Sequence, residues 1–356
     1  MKKLNVAIIG QGRSGKDIHG KYYLSADNRF YAVKYVVETD AARREIAKTC
    51  YPGCIVLADY KELFAFDDID LVVNATYSDL HYAITCDILT HKKNVLVEKP
   101  FARTRFECDT MIRLAKENGA FLAVFQQSNC MPFYRMAKEV MTSGKLGEIK
   151  EIKLAYSGLS RRWDWQSLQK RCAGNVYNTG PHPVGMALGL LDFDPRTRVA
   201  YSKLDNVLSS GDSDDFCKII LDTPGKPFVD IEIHANDAYS PFNLKLLGTL
   251  GTFQATPFAY KMTYLVPGEN PAKPVQENFL QDDAGNPIYC SEQLIKHEEE
   301  GAFEGAPFDI AAAAFYEELY YAITQGKALS IDAQKAAQII SVAEAVHAQN
   351  PLPVKF

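Results

Sequence analysis

The sequence predicts an α/β protein of two domains, a parallel sheet with helical crossovers followed by an α+β domain built on a large, open, predominantly antiparallel sheet. Three observations carry this expectation. The first third of the chain alternates short apolar strands with helical stretches. The middle is a succession of strands with few helices between them. The 356 residues exceed what one hydrophobic core usually organises. The boundary is expected near residue 125, dividing the chain into 1–125 and 126–356.

In order, strands are expected over residues 6–9, 31–37, 71–74, 94–97 and 121–125, with helices over 15–24, 41–49, 80–90 and 104–118. In the last of these helices Met111, Leu114 and Ala115 share one face, and Asn118-Gly119 supplies the stop. Further strands are expected over 149–156, 197–204, 216–221, 228–234, 243–247 and 251–254. Residues 258–306 are rich in Pro, Gly, Asn and Glu and lack periodicity, so they read as a long excursion without assigned structure. Two helices close the chain. Phe315, Leu319, Ala322 and Ile323 repeat at helical spacing before Gly326, and Asp332 caps a final helix whose Ile339, Val342, Ala343 and Val346 face one side until Pro351. These terminal helices have the option of packing back on the first domain.

Composition narrows the classes. The net charge is -5 with Lys and Arg dispersed, which offers no stripe for nucleic acid and no polybasic membrane patch. No window approaches a membrane span. Met1-Lys2-Lys3 leads only into a short strand-like run, unlike a signal peptide, so a cytoplasmic protein is expected. Cys50, Cys54, Cys86, Cys108, Cys130, Cys172, Cys217 and Cys290 have no C-x-x-C spacing and read as isolated thiols. The histidines form no H-x-x-x-H or H-E-x-x-H pattern, so no metal is expected.

The chemistry begins at Gly10-Gln11-Gly12-Arg13-Ser14-Gly15, directly after Leu4-Asn5-Val6-Ala7-Ile8-Ile9. In a G-x-G-x-x-G loop between strand and helix, Gly10 permits the tight turn, Gly12 lets backbone approach a pyrophosphate, and Gly15 allows close helix–strand packing. Three glycines in six residues also occur in ordinary loops; the strand before them favours the dinucleotide. Such a unit places an acid at the end of its second strand, and Glu38 in Val36-Val37-Glu38-Thr39-Asp40 is the candidate. Its carboxylate would accept from ribose hydroxyls and repel a 2′-phosphate, favouring NAD. Arg13, Arg43 and Arg44 keep NADP as the alternative.

Val95-Leu96-Val97-Glu98-Lys99-Pro100-Phe101 puts an ionisable pair at the carboxyl end of a buried strand, where open α/β sheets bind ligands. A lysine there can orient a hydroxyl and stabilise a developing alkoxide; on composition alone, a lone Glu-Lys-Pro is more often a solvated loop.

Together the Gly10 loop, Thr76 and His81 in Asn74-Ala75-Thr76-Tyr77-Ser78-Asp79-Leu80-His81, Glu98-Lys99-Pro100 and Ser143-Gly144-Lys145-Leu146-Gly147-Glu148-Ile149 resemble the Gfo/Idh/MocA oxidoreductases over about residues 4–195. The resemblance implies an N-terminal Rossmann domain, NAD or NADP as cofactor, substrates that are mostly sugars or cyclitols, and a homodimer or homotetramer joined through the C-terminal sheet. It implies that Lys99 lies near the nicotinamide and the reacting hydroxyl, with Thr76, His81 and Glu98 lining the nicotinamide end. Gln126-Gln127-Ser128-Asn129 occupies the family's Gln/Tyr-Asn-Arg stretch, with Gln127 in place of Asn and Ser128 in place of Arg; Gln127 is counted with the cofactor residues.

Hydride transfer from a secondary alcohol needs a proton acceptor beside the carbinol oxygen, and histidine suits this because it titrates near neutrality. His182, in Asn178-Thr179-Gly180-Pro181-His182-Pro183-Val184-Gly185, falls on the family's catalytic histidine. Without that match it reads as a helix-start residue between two prolines. Asn178 stands where the family usually has aspartate, and Gly185 where it often has another; neutral Asn178 is expected to position the imidazole without supplying charge. His182 is therefore expected as acid/base with Lys99 as its electrostatic partner. The loop Ser160-Arg161-Arg162-Trp163-Asp164-Trp165-Gln166 is the substrate-recognition candidate. Its aromatics would pack on sugar faces while Arg162 and Asp164 meet hydroxyls, with Asp164 a stand-in for the missing carboxylate. The alternative is a surface loop anchored by buried tryptophans.

The leading reading is a reversible oxidoreductase of a sugar or cyclitol hydroxyl. Two alternatives stand beside it: redox-assisted glycoside cleavage in which the same bound NAD returns the hydride, and a nucleotide-sensing protein without turnover.

Overall fold

The computed structural model describes residues 2–356, so Met1 of the basic start lies outside them. The first sheet is six parallel strands: β1 (Leu4–Ile9), β2 (Tyr31–Val37), β3 (Ile55–Leu57), β4 (Leu71–Asn74), β5 (Val95–Val97) and β6 (Leu122–Val124), in the order β3-β2-β1-β4-β5-β6. The order reverses at β1, which opens a crevice between the carboxyl ends of β1 and β4. Register makes that edge sharp. Ile9 pairs with Val37 and with Asn74, Asn74 with Val97, and Val97 with Val124. Gly10, Glu38, Ala75, Glu98 and Phe125 therefore leave the sheet at one level. The strands are almost continuously apolar because helices cover both faces.

The crossovers follow the expected pattern. A π-helical stretch, Arg13–Gly20, runs into α1 (Lys21–Leu24); α2 (Ala41–Cys50), α3 (His81–Thr90) and α4 (Arg105–Asn118) complete the set. Thr104 forms a capping box with Glu107 on α4, and Gly119 ends it at φ 64°. The sequence reading passed over β3, a three-residue edge strand whose Ile55 is exposed, so it carries no buried run.

The second sheet has eight strands: β7 (Ile149–Ala155), β8 (Arg198–Asp205), β9 (Phe216–Asp222), β10 (Phe228–His234), β11 (Leu244–Gly248), β12 (Gly251–Ala255), β13 (Ala259–Tyr264) and, later in the chain, β16 (His297–Ala302). Their order is β16-β13-β12-β11-β7-β10-β9-β8, antiparallel except for the central β7–β10 pair. Two of these strands correct the reading of 258–306 as unassigned. β13 and β16 pair across a long insertion at the sheet's edge, where half-exposed strands carry polar residues and show no apolar alternation. Between them a two-residue ladder joins β14 (Leu280–Gln281) to β15 (Pro287–Ile288).

α5 (Pro132–Ser143), α7 (Pro181–Leu190) and α9 (Ala333–Gln349) cover one face of this sheet, with Ile152, Leu154, Ile219, Ile231, Leu246 and Phe253 beneath them. The other face carries charge: Lys218 Nζ lies 2.5 Å from Asp230 Oδ1 and 2.6 Å from Glu232 Oε1. The closing helices join the halves. Phe315, Tyr316 and Leu319 of α8 (Pro307–Gln325) pack with Ile8, Tyr31 and Phe125 of the first sheet. α9 gives Ala337 and Ile340 to the α4 side of that sheet, and Ile339 and Val346 to the core of the second.

Candidate cofactor and active site

The glycine loop has a distinct constraint at each position. Gly10 sits at φ 93°, and a Cβ there would lie 2.7 Å from the Ala75 carbonyl oxygen. A Cβ on Gly15 would fall 1.8 Å from the Gly10 carbonyl oxygen. Above Gly12 the space is open, with only Arg43 Nη1 at 4.0 Å. The outer glycines thus close the turn, and the middle one leaves room for a group that the chain does not fill. Arg13 and Ser14 begin the helical stretch there, with the Arg13 side chain exposed.

Glu38 lies against this loop, buried at 7% exposure. Its Oε2 accepts the Gln11 amide at 2.7 Å and its Oε1 the Asp40 amide at 3.0 Å. Arg43 Nη1 lies 3.9 Å from the carboxylate, while Arg44 donates to the carbonyls of Glu38 and Thr39, both at 2.8 Å. Asp40 caps α2 through the Arg43 amide.

At the ends of β4 and β5, Thr76 Oγ1 donates to Asn74 Oδ1 at 2.7 Å. His81 is buried; its Nδ1 lies 2.7 Å from the Pro100 carbonyl oxygen and its Nε2 3.3 Å from that of Thr76. Burial pushes its pKa down, and the neutral imidazole donates from one nitrogen only, which the shorter contact assigns to Nδ1 and the Pro100 carbonyl. Glu98 is 3% exposed and its Oε2 accepts the Lys99 amide at 3.0 Å. Desolvation opposes its charge, yet the neighbouring His19, Lys99 and His81 hold its pKa below the ordinary range.

Lys99 reaches across to the second domain, where its Nζ donates to the Asn178 carbonyl oxygen at 2.9 Å. Burial lowers its pKa, and Arg162 and Arg13 lower it further against the pull of Glu98. Asn178 ends the short helix α6 (Asn175–Asn178). The expectation that its side chain positions the His182 imidazole is corrected here. Asn178 Oδ1 is taken by Gln166 Nε2 at 3.1 Å, and His182 Nδ1 is buried with no hydrogen-bond partner among the described residues. Asn178 acts on Lys99 through its main chain instead. His182, in the first turn of α7, has its pKa pushed down to about 3, first by burial and then by Lys99.

Gly185 does not open toward this crevice. A Cβ there would meet Ile339 Cδ1 at 3.0 Å and Asn129 Nδ2 at 3.4 Å, so α9 occupies the ground an aspartate would need. Gln126, Gln127 and Ser128, at the end of β6, are each buried, and Gln126 Oε1, Gln127 Oε1 and Ser128 Oγ have no partner among the described residues. Gln126 Oε1 lies on the α9 side, 3.8 Å from where a Gly185 Cβ would stand, so the unmet polar atoms left for a nicotinamide carboxamide are Gln127 Oε1 and Ser128 Oγ. With the open space at Gly12 and the carboxylate of Glu38, these residues fit a bound dinucleotide.

The 160–166 loop divides between the two readings offered for it. Trp163 is 78% exposed, whereas Trp165 packs edge-on against Tyr77 of the first domain at 4.9 Å. Asp164 caps the next turn through the Gln166 amide and stands 3.9 Å from Arg162 Nη1; it is half exposed and makes no hydrogen bond or ion pair with His182 among the described residues, so it does not stand in for the missing carboxylate here. Arg162 Nη1 is buried without a hydrogen-bond partner among the described residues. The sequence reading missed Gln166, which holds Asn178, and His19, which faces Glu98 at 3.0 Å. Only its position one helical turn after Gly15 marked His19.

Comparison with known proteins gives the family of the chain. Residues 4–126 match the oxidoreductase family with the NAD-binding Rossmann fold, and residues 134–254 match the Gfo/Idh/MocA C-terminal domain. The chain is 27% identical over 189 residues to the NADP-dependent scyllo-inositol 2-dehydrogenase IolW of Bacillus subtilis, covering 52% of this chain and 51% of that protein. It is 26% identical over 184 residues to 2,7-anhydro-N-acetylneuraminate hydratase of Mediterraneibacter gnavus, covering 50% and 47%. The chain thus spans about half the length of these curated relatives. An NAD-binding protein from Listeria innocua superposes with a TM-score of 0.79 at 20% identity over the whole of both chains, a likeness of fold. Matched in order through both of its sheets, the chain belongs to the Gfo/Idh/MocA family of oxidoreductases.

Proposed function

We propose that this protein is an NAD(P)-dependent oxidoreductase, NAD-preferring, that moves a hydride to or from a hydroxyl-bearing carbon of a sugar, cyclitol or related polyol. One observation carries the reading: Lys99, leaving the cofactor edge of the first sheet, is held at 2.9 Å by Asn178 of the second, beside His182. Bound at Gly10 to Gly15, the dinucleotide supplies the hydride acceptor or donor.

The chain's residues manage the proton. A general base works best with a pKa near the operating pH, and His182, pushed down to about 3, is a poor one. Lys99 is brought down from the other side by burial and by Arg162 and Arg13. Lys99, its Nζ held at the meeting of the two domains by the Asn178 carbonyl, is the group assigned to take the hydroxyl proton. His182, neutral, offers a hydrogen bond to the same oxygen and does not repel the lysine. The two roles expected from the sequence exchange places. Arg162 and exposed Trp163 border this crevice as substrate contacts, and Thr76, Glu98 and Gln127 form its nicotinamide end. Assembly as a homodimer or homotetramer through the second sheet is part of the same reading.

The test pairs NAD and NADP with a polyol and sugar panel, following reduced nicotinamide and, separately, product by mass spectrometry. Lys99→Ala is expected to keep NAD affinity and lose turnover by about 100-fold or more. Unchanged turnover in that variant would sink the assignment. A relative named as a hydratase favours a second reading, a redox-neutral cycle in which the hydride returns to the substrate. Product without net reduced nicotinamide would establish it.

A further inference from the structure

His19 is the most completely buried histidine of the cofactor domain, and hydride transfer as described makes no use of it. It lies in the helical stretch Arg13–Gly20, behind the glycine loop. Its Nε2 lies 3.0 Å from Glu98 Oε1 without completing a hydrogen bond, so the imidazole faces the carboxylate as a polar neighbour at contact distance. Its Nδ1 lies 2.5 Å from the Tyr316 hydroxyl of α8. The ring also packs against Phe125 with centroids 4.6 Å apart.

Tyr316 is equally confined. It stacks on Tyr22 at 4.1 Å, and its carbonyl accepts the Tyr31 hydroxyl at 2.8 Å. Tyr22, Tyr23 and Tyr31 surround it, their hydroxyl pKa values driven far up by burial. The path from Glu98 through His19 to Tyr316 thus ends among buried phenols with no outlet to solvent. It cannot serve as a proton wire, and its geometry is that of a clamp.

Glu98 is where the clamp acts. One oxygen faces His19 and the other accepts the Lys99 amide, so the carboxylate's orientation and the lysine's backbone are fixed together. The charged or titratable groups around Glu98 are His19 from the glycine-loop helix, Lys99 from its own strand end, His81 from α3, His182 from α7 and Tyr316 from α8. Those around Lys99 are Glu98, His182, Arg162 and Arg13. A carboxylate this deeply buried would take up a proton without such support. A carboxylate kept ionised at the nicotinamide end favours the cationic oxidised ring over the neutral reduced one.

We propose that His19, braced by Tyr316, is a positioning residue that keeps Glu98 an oriented carboxylate beneath Lys99 and thereby sets the preference of the site for oxidised over reduced nicotinamide. This rests on the dinucleotide reading of the site for its consequence but not for its geometry.

The experiment uses the full-length protein without added substrate. The pH titration of Glu98 is followed by its carboxyl 13C resonance, assigned by its loss in Glu98→Gln. In His19→Gln the midpoint is expected to rise by about one pH unit or more. In Tyr316→Phe, which keeps the imidazole and loses only the hydroxyl, a smaller rise in the same direction is expected; this variant carries the test if His19→Gln does not fold. Calorimetric titration with NAD and NADH gives the second readout. Wild type should hold its ratio of affinities between about pH 7.5 and about pH 5.5, whereas His19→Gln should lose NAD affinity about threefold or more relative to NADH at the lower pH. An unchanged Glu98 midpoint in the variants, with only a lower melting temperature, would overturn the proposal and leave His19 a packing residue. Wild type that binds neither nucleotide would overturn the cofactor reading instead, and the Glu98 midpoint would still decide the clamp.

Discussion

Glu38 shows what one side chain decides at this site. Both of its oxygens are engaged by amides of the glycine loop and of the next turn, so the carboxylate stays at the end of β2 whether or not ribose hydroxyls arrive. Its charge repels a 2′-phosphate, while Arg43 at 3.9 Å would attract one. Glu38→Ser is therefore expected to shift the ratio of NAD to NADP dissociation constants toward NADP by about tenfold or more, about 1.4 kcal/mol. An unchanged ratio in fluorescence titrations would remove Glu38 from cofactor discrimination. Glu38 and Lys99 were legible in the sequence because a strand's end is a position that spacing predicts. The partner of Lys99 was not, since it is a main-chain carbonyl, and any residue at 178 presents one.

Elements impose a different kind of constraint. The three loop glycines look alike in sequence and differ in space. An alanine at 12 has room in the free protein, whereas one at 15 overlaps the Gly10 carbonyl. Gly12→Ala should keep near wild-type stability to urea and lose NAD affinity; Gly15→Ala should lose both. Equal stability loss in the two would contradict the assignment of Gly12 as the open position. Helix α7 teaches the same lesson at Gly185, which the family pattern marks as a missing acid. In the fold that site faces Ile339 of α9, and an aspartate there would be a buried, unpaired charge. Gly185→Asp is expected to cost about 3 kcal/mol or more in urea unfolding. The strands β13 and β16 escaped the sequence reading because their partners, not their own patterns, make them strands.

At the scale of the whole molecule, α9 packs on both sheets and α8 on the first, and charge is buried where the chain closes on itself. Asp214, 2% exposed, caps α6 through the Val176 amide at 2.8 Å, and burial raises its pKa to about 7. The folded protein then holds a proton there that the unfolded chain releases near pH 4. Stability contributed by Asp214 is thus present below about pH 4 and lost as the pH rises to about 7. His182 and His347 act oppositely: with pKa values lowered to about 3 and about 4, chiefly by burial, they cost stability as the pH falls below about 6.5. Asp214→Asn keeps an acceptor for Val176 and removes only the first effect. Relative to wild type, it should gain on the order of 3 kcal/mol between about pH 4 and about pH 7 in urea titrations. A difference independent of pH would show that Asp214 is ionised throughout.

The division of labour between sequence and tertiary structure follows from range. The apolar runs, the helix caps at Thr104 and Asp332, the glycine loop and the acid at 38 act within a few residues of themselves, so the parallel sheet and its cofactor edge could be read directly. Which groups meet across that edge depends on contacts between distant segments: Lys99 with Asn178, Asn178 with Gln166, Glu98 with His19, and His19 with Tyr316. Burial, which pushes the pKa values of both His182 and Lys99 down, is a property of the packed whole. The sequence by itself determined the parallel sheet, its glycine loop and the class of cofactor; which side chains meet at that edge was decided only when two sheets and two closing helices enclosed it.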